Sequence, residues 1–372
     1  MKGTAFLKLD TPALLVDLDR MEHNLRFMQE KATLAGVRLR PHTKTHRTPA
    51  IAKIQEAMGA TGITVAKLGE AEIMASEGLD DIFIANEIVG PIKLERLKRL
   101  MKRIRRLAVG VDHPVHVEML SRAMEGEPFF LDVLIDVETG DPRTGISPGG
   151  PTLELARRVA GAPGLRLRGI YTHDGQSYDA ETIEEVRAIN RQSQKRMLET
   201  ADLLRRSGIP VEEISVGSTP SLLVDGIEQG ITEIRPGTYV FLDADQAQLI
   251  RTTAYCAQTV LATVISRPAP ERVVLDAGTK SLTYYVQDRG VTRAIGHGRL
   301  KDYPDVFLDR MSDEHSSFDI PVNSGLDFSI GDKIEIIPNH ACPTTNLHEF
   351  IHGVRNGRIE VTWPVLCRGK SQ

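Results

Sequence analysis

A lysine set between two histidines is the most reactive stretch of this 372-residue chain: Arg40-Pro41-His42-Thr43-Lys44-Thr45-His46. An amine attacks a carbonyl only when unprotonated, so a reactive lysine needs a neighbouring cation or an apolar enclosure to pull its pKa below about 10.4. The motif follows a short alternating run, Gly36-Val37-Arg38-Leu39. If Arg38 to Arg40 is a strand, the period of two places His42, Lys44 and His46 on one face and Thr43 and Thr45 on the other. A solvated basic edge without chemistry is the competing reading, since isolated Lys and His side chains usually face water.

Four further stretches carry polar groups in dense order. Glu138-Thr139-Gly140-Asp141-Pro142-Arg143-Thr144-Gly145 offers, in Arg143, a planar guanidinium suited to an oxygen anion. Tyr171-Thr172-His173-Asp174-Gly175-Gln176-Ser177-Tyr178 is rich in donors, acceptors and one near-neutral titrator. Ser215-Val216-Gly217-Ser218-Thr219-Pro220-Ser221 and Arg235-Pro236-Gly237-Thr238-Tyr239 resemble glycine-containing nests that aim backbone N–H groups and hydroxyls at a phosphate. A plain Gly/Pro turn or a Ser/Thr helix cap is the bland account of each. Near the other end, Pro338-Asn339-His340-Ala341-Cys342-Pro343 contains an extended His-X-Cys, which puts imidazole and thiolate on one side, within reach of one metal ion. Two protein ligands would leave room for water and substrate, whereas a buried His beside a buried Cys is the commoner arrangement.

The elements that must position these groups alternate. Ala13 to Val16, Ile63 to Ala66, Ile82 to Ala85, Leu107 to Val111, Leu131 to Val137, Leu167 to Tyr171, Glu213 to Val216 and Glu233 to Pro236 read as strands. Amphipathic stretches such as Asp19 to Ala35, Leu94 to Arg105 and Glu184 to Ser207 lie between them. Eight strand–helix units give an α/β fold, a TIM (β/α)8 barrel over residues 12–245. After residue 245 the runs Thr259 to Ser266, Arg272 to Leu275, Lys333 to Ile337 and Gly357 to Trp363 have no long helices between them. Residues 246–372 therefore read as a mainly β domain, joined by residues 1–11 through Phe6 to Asp10. Ligands bind a parallel barrel at the carboxyl ends of its strands, and the usual phosphate site follows strands seven and eight. Two phosphate-type loops there, with an early strand-end lysine, point to pyridoxal phosphate, an aldehyde that needs a lysine and a neutralising cradle.

Composition narrows the classes. A net charge of −4 argues against a nucleic-acid footprint, and the basic run Lys93 to Arg106 alternates with apolar residues at helical spacing, as a solvated helix face does. Three cysteines, Cys256, Cys342 and Cys367, form no disulfide framework, and no apolar run approaches the ~20 residues of a membrane span. The expected setting is cytoplasmic, with neither nucleic acid nor membrane as partner.

Thr11-Pro12-Ala13, the 40–46 motif and Pro338 to Pro343, in this order, resemble the D-threonine aldolase and eukaryotic-type D-serine dehydratase family. That resemblance implies pyridoxal-phosphate enzymes of fold type III, with an alanine-racemase-like barrel and a C-terminal β domain. It makes Lys44 the Schiff-base lysine and puts Ser218, Thr219, Gly237, Thr238 and Tyr239 in the loops holding the phosphate. Arg143 and Tyr171 fall near the cofactor ring, Arg143 towards its phenolic oxygen, and His340 and Cys342 match a divalent metal pair. The implied activity is a metal-dependent lyase on 3-hydroxy-D-amino acids: D-threonine aldolase, giving glycine and an aldehyde. The alternative is a D-serine or D-threo-3-hydroxyaspartate dehydratase, giving a 2-oxo acid and ammonia. Aldolases of the group typically carry His-X-Asp, and the thiolate here favours zinc over manganese or magnesium. An amino-acid racemase needs no metal pair, and a single-barrel cofactor carrier would lack residues 246–372. Relatives pair head to tail, so a homodimer is implied.

Overall fold

The computed structural model describes Gly3, residues 5–285 and residues 287–372. Eight parallel strands form one sheet in the order expected of sequential strand–helix units: Ile63–Val65, Asp81–Glu87, Arg106–Val111, Leu131–Asp136, Leu165–Tyr171, Glu213–Val216, Glu233–Ile234 and, returning to the start of the chain, Arg38–Leu39. The sheet closes where the segment after Arg38–Leu39 bridges Ile63–Val65: Thr64 N–H donates to Pro41 O and Thr43 N–H to Thr64 O, each at 2.8 Å. That closing segment carries Lys44.

Ala13–Asp17, read from sequence as a barrel strand, lies in the second sheet. It pairs antiparallel with Gln258–Ser266 and parallel with Phe350–Arg355. Its alternate residues are buried on both sides: Leu14 and Val16 join the main core, and Ala13 and Leu15 a smaller cluster with Leu9, Leu261 and Ile359. A strand buried on both faces reads as a continuous apolar run whichever sheet it joins. The first barrel strand is instead Arg38–Leu39. Phe6–Lys8 is a single 3-10 turn, and the N-terminal segment meets the β sheet through a bridge from Ala5 to Arg358.

Helices pack around the barrel by the usual three- and four-residue spacing. Leu18–Leu34 buries Met21, Leu25, Met28 and Ala32, and Asp17 caps it by accepting from Arg20 N–H at 3.1 Å. Ile183–Arg206 buries Val186, Met197, Ala201 and Leu204 behind a Thr182 cap. The end of the barrel opposite the polar loops is filled by ion pairs. Arg40, 2% exposed, donates to Glu233 at 2.9 Å and Asp81 at 2.6 Å, and Arg106 lies against Glu213. This buried charged plug forms the floor beneath the site.

Candidate active site

Lys44 opens into a cavity of about 250 Å³ at the carboxyl ends of the barrel strands. The turn that carries it is held from both sides. Thr43 Oγ1 donates to Glu70 Oε1 at 2.7 Å, and His46 and Arg47 N–H close back onto Thr43 O. Burial drives the Lys44 pKa down, with the Arg143 and Arg235 charges adding to it against the opposite pull of Cys342 and Glu70. Its neighbour His42 curls back so that Nδ1 lies 3.4 Å from Lys44 N–H. Burial, then the positive groups around it, push the His42 pKa well below its ordinary value. His173, across the cavity, falls to about 3, chiefly through burial. Both rings are neutral at pH 7.

His42 and Lys44 line the cavity as expected from a shared face, but His46 does not. The chain turns after His42 instead of continuing as a strand. His46 points into the core, where Nε2 pairs with Gln55 Oε1 at 3.2 Å, and Gln55 Nε2 donates to Tyr239 Oη at 2.9 Å. Tyr239, expected among the phosphate-loop residues, thus ends in this buried chain behind the site. It follows the cavity-lining Gly237 and Thr238 in the chain, but its side chain serves the core. Thr45, expected on the opposite face, turns towards the cavity side: Thr45 Oγ1 is 3.1 Å from Cys342 Sγ.

Tyr171 and Arg143 both line the cavity. The Tyr171 ring meets Phe83 edge-on with centroids 5.0 Å apart, and the Arg235 guanidinium stacks over it at 5.1 Å. Burial, with Asp136 and Glu87 nearby, raises the phenol well above its ordinary pKa, so Tyr171 keeps its proton. Arg235 is locked by Ser215 Oγ at 2.6 Å and Thr172 O at 2.8 Å. Arg143 stands at the mouth, half-exposed, its Nε 4.0 Å from Asp141.

Gly217, Ser218, Thr219, Gly237 and Thr238 form one end of the cavity. Gly237 has to be small: a Cβ there would sit 3.0 Å from Thr45 Oγ1 and 3.2 Å from His42 Cβ. Gly217 adopts φ +140, in the region that favours glycine. The Thr219 hydroxyl is buried without a protein partner. Two glycine turns and an unpartnered buried hydroxyl make a cradle for a compact anion.

His340 and Cys342 arrive from the second sheet. His340 has extended dihedrals and Cys342 lies in the first turn of Ala341–Leu347, so a strand-to-helix turn brings them together rather than one extended face. Asp243 Oδ2 accepts from His340 Nδ1 at 3.1 Å and from Ala341 N–H at 2.9 Å, which orients the ring, and His340 also pairs with the Cys342 side chain. Burial opposes ionisation of Cys342, but His340, then Lys44 and Thr45, bring its thiol down to about 7. Among the described residues no group of three His, Cys, Asp or Glu side chains gathers around this pair. An oriented imidazole and an easily ionised thiol do fit a divalent ion with open positions.

Sequence reasoning did not single out Asn86, which lines the cavity together with His42 and Tyr178, or Asp243. The signal for Asp243 was its place as a helix cap, where it also accepts from Gln246 N–H at 3.0 Å. Nothing local in the sequence couples it to His340, 97 residues away.

The family model described as alanine racemase, N-terminal domain, matches residues 16–245, and that described as putative serine dehydratase domain matches residues 257–354. A D-threonine aldolase of Arthrobacter sp is 36% identical over all of this chain and 96% of its own length. The crystal structure of D-threonine aldolase from Filomicrobium marinum superposes with a TM-score of 0.92 at 37% identity, covering 100% of this chain and 99% of that one. D-threo-3-hydroxyaspartate dehydratase from Delftia sp. HT23, solved also as a variant in the metal-free form, superposes with a TM-score of 0.89 at 31% identity; the variant's alignment covers 97% of this chain and 98% of that one. With matches of this extent along both its parts, the chain belongs to the D-threonine aldolase and D-serine dehydratase family, lyases built on the alanine-racemase barrel.

Proposed function

We propose that this chain is a pyridoxal-phosphate- and divalent-metal-dependent lyase that cleaves 3-hydroxy-D-amino acids, D-threonine first among them, to glycine and an aldehyde. The observation that carries the reading is that Lys44 and the His340/Cys342 pair come from different sheets to one place, joined by the 3.1 Å contact between Thr45 and Cys342. A bound pyridoxal phosphate supplies an electron sink for charge developing at Cα, and a bound metal supplies a Lewis acid for the β-hydroxyl.

The protein's own groups have distinct tasks. Lys44, whose pKa burial lowers, is the nucleophile for the cofactor aldehyde and afterwards a base beside Cα. Ser218, Thr219, Gly237 and Thr238 hold the phosphate, and Arg143 takes the phenolic oxygen. Neutral His42, His173 and Tyr171 surround the ring with hydrogen-bonding groups that add no charge. His340 and Cys342 hold the metal, which competes with a proton on His340 because a ligand must be deprotonated. Zinc suits the thiolate better than manganese or magnesium.

One observation favours dehydration as the second reading: the soft thiolate at Cys342, which sets the metal's Lewis acidity. The two readings separate in one tube containing D-threonine and zinc or manganese. Acetaldehyde with glycine supports the aldolase; 2-oxobutanoate with ammonia refutes it in favour of the dehydratase. Replacement of Lys44 by Ala is expected to remove the visible absorbance of lysine-bound cofactor, and an unchanged spectrum refutes the cofactor assignment. Chelation is expected to stop turnover while the colour remains. Exposed Tyr284 and Tyr285, the latter 4.9 Å from the His340 ring, support a homodimer in which a second copy covers the mouth; light scattering at a monomer mass would oppose it.

A further inference from the structure

Behind the phosphate cradle a chain of hydroxyls ends in a buried carboxylate. Ser218 Oγ lies 3.2 Å from Ser221 Oγ and 3.1 Å from Ser177 Oγ, and Ser221 Oγ in turn contacts Asp174 Oδ2. All four residues are buried, Asp174 at 2% exposure, and its second oxygen, Oδ1, has no partner. Ser218 alone of the four also lines the cavity. No role in the chemistry above uses Asp174.

The heavy-atom positions admit two directions of donation. With Asp174 ionised, Ser221 donates to Asp174 and Ser218 donates to Ser221, so Ser218 turns only lone pairs towards the cavity. With Asp174 protonated, Asp174 donates to Ser221, Ser221 to Ser218, and the Ser218 hydrogen faces the cavity. Only the second arrangement lets Ser218 donate to a phosphate, whose oxygens accept and repel lone pairs, without giving up its bond to Ser221. We propose that Asp174 is a positioning residue that takes up one proton when the cofactor phosphate binds, and that Ser221 and Ser218 relay its protonation to the phosphate. This rests on reading the cavity as the pyridoxal-phosphate site. The proton comes from the buffer, and no covalent bond changes.

The surroundings make this carboxyl easier to protonate than one in water, so that an arriving anion can tip it. Burial raises the Asp174 pKa, against the opposing hydrogen bonds from Ser221 and Ser218 and the more distant positive charge of Arg235. The other ionisable neighbours are His173 and Tyr178 on its own loop and Asp141 against Gly175. The long helix packed on Thr219–Val224 directs Arg187 to Val224 O and Arg191 to Asp225. Asp243 and Asp245, from the next short helix, act on His340. None of these cations pairs with Asp174.

The test is calorimetric binding of pyridoxal phosphate, and of pyridoxal, to the full-length protein freed of cofactor, in buffers of different ionisation enthalpy. Asp174→Asn has an amide that always donates, so it is expected to bind pyridoxal phosphate near pH 8 as tightly as wild type or tighter. It should take up about one proton fewer than wild type. Ser221→Ala, which keeps Asp174 but cuts the relay, is expected to lose the same proton, and with pyridoxal the wild type and both variants should not differ. Equal proton uptake in wild type and Asp174→Asn overturns the Asp174 assignment alone, as does weaker binding by Asp174→Asn. Failure of the wild type to develop the visible absorbance of lysine-bound cofactor overturns the cofactor reading and this inference with it.

Discussion

Gly110 sits beneath Tyr171, and replacing it with alanine tests whether the phenol's position is set by the barrel wall. A Cβ at Gly110 would lie 2.9 Å from Tyr171 Cζ and closer still to its hydroxyl, whereas ordinary contact begins near 3.4 Å. The backbone at Gly110 is not in the left-handed region, so the effect is purely one of space. To relieve it the phenol must retreat by roughly 1 Å, and little room exists. Phe83 stands edge-on at 5.0 Å and Arg235 covers the ring face at 5.1 Å. Overpacking of this kind costs about 1–3 kcal/mol, which lowers the Tm by a few degrees. A displacement near 1 Å of a ring beside the reacting groups is expected to lower kcat/KM about 100-fold. The assays are thermal unfolding by circular dichroism and aldehyde release from D-threonine. Removing the hydroxyl as well, in Gly110→Ala with Tyr171→Phe, takes away the closest clash and leaves the milder ring-carbon contact at 2.9 Å, so Gly110→Ala should cost clearly less in the Tyr171→Phe background than in wild type. Additive losses of stability in the double variant, or a Gly110→Ala enzyme with wild-type Tm and turnover, would refute the reasoning.

Arg40→Met leaves Glu233 and Asp81 facing a missing guanidinium in a buried plug, and a loss of about 3–5 kcal/mol in urea unfolding is expected; a loss below 1 kcal/mol would mean that Arg38, Arg105 and Arg106 suffice. Burial raises the Asp136 carboxyl from 3.8 to about 6, so ionising it disfavours the folded state. This penalty is absent below the unfolded pKa, grows as pH rises through about 6 and is complete above it, so Asp136→Asn should gain about 3 kcal/mol at pH 8 and almost nothing at pH 4. An equal effect at both pH values contradicts that account. Tyr239→Phe should lower stability by about 1 kcal/mol through the lost Gln55 bond while leaving cofactor affinity within about threefold; a large loss of affinity would return Tyr239 to the phosphate site.

The barrel was legible because parallel strands covered on both faces appear as short apolar runs between amphipathic helices. That same property concealed the one exchange of strands. Ala13–Asp17 looks like its neighbours in composition, and only its hydrogen bonds to Gln258–Ser266 and Phe350–Arg355, more than 240 residues away, place it in the other sheet. Arg38–Leu39 has two strand residues and a charged side chain, too little pattern to count, yet it closes the barrel.

The site was legible as loops and partly illegible as side chains. Glycines and hydroxyls at strand ends marked Gly217 to Thr219 and Gly237 to Thr238, and all of these line the cavity, because a turn of small residues is legible from backbone demands alone. Where direction mattered, the rule of alternating faces applied only while the chain stayed extended. It ended in the turn after His42, which sent His46 to the core and brought Thr45 to Cys342. That reversal matters more than the misplacement of one histidine. The residue next to Lys44 touches the thiol of the other sheet, so the distance between Lys44 and the His340/Cys342 pair is fixed by packing between the two sheets, across a contact 297 residues apart in sequence. A substitution at that junction should therefore disturb both groups together even where neither is changed. Thr45→Val, which keeps the shape and removes the hydroxyl, is the mildest such perturbation. It should raise the Cys342 thiol above about 7 by removing one donor and shift the pH at which zinc is lost upward, with cofactor absorbance intact; an unchanged zinc titration would mean that the two sheets position their groups independently.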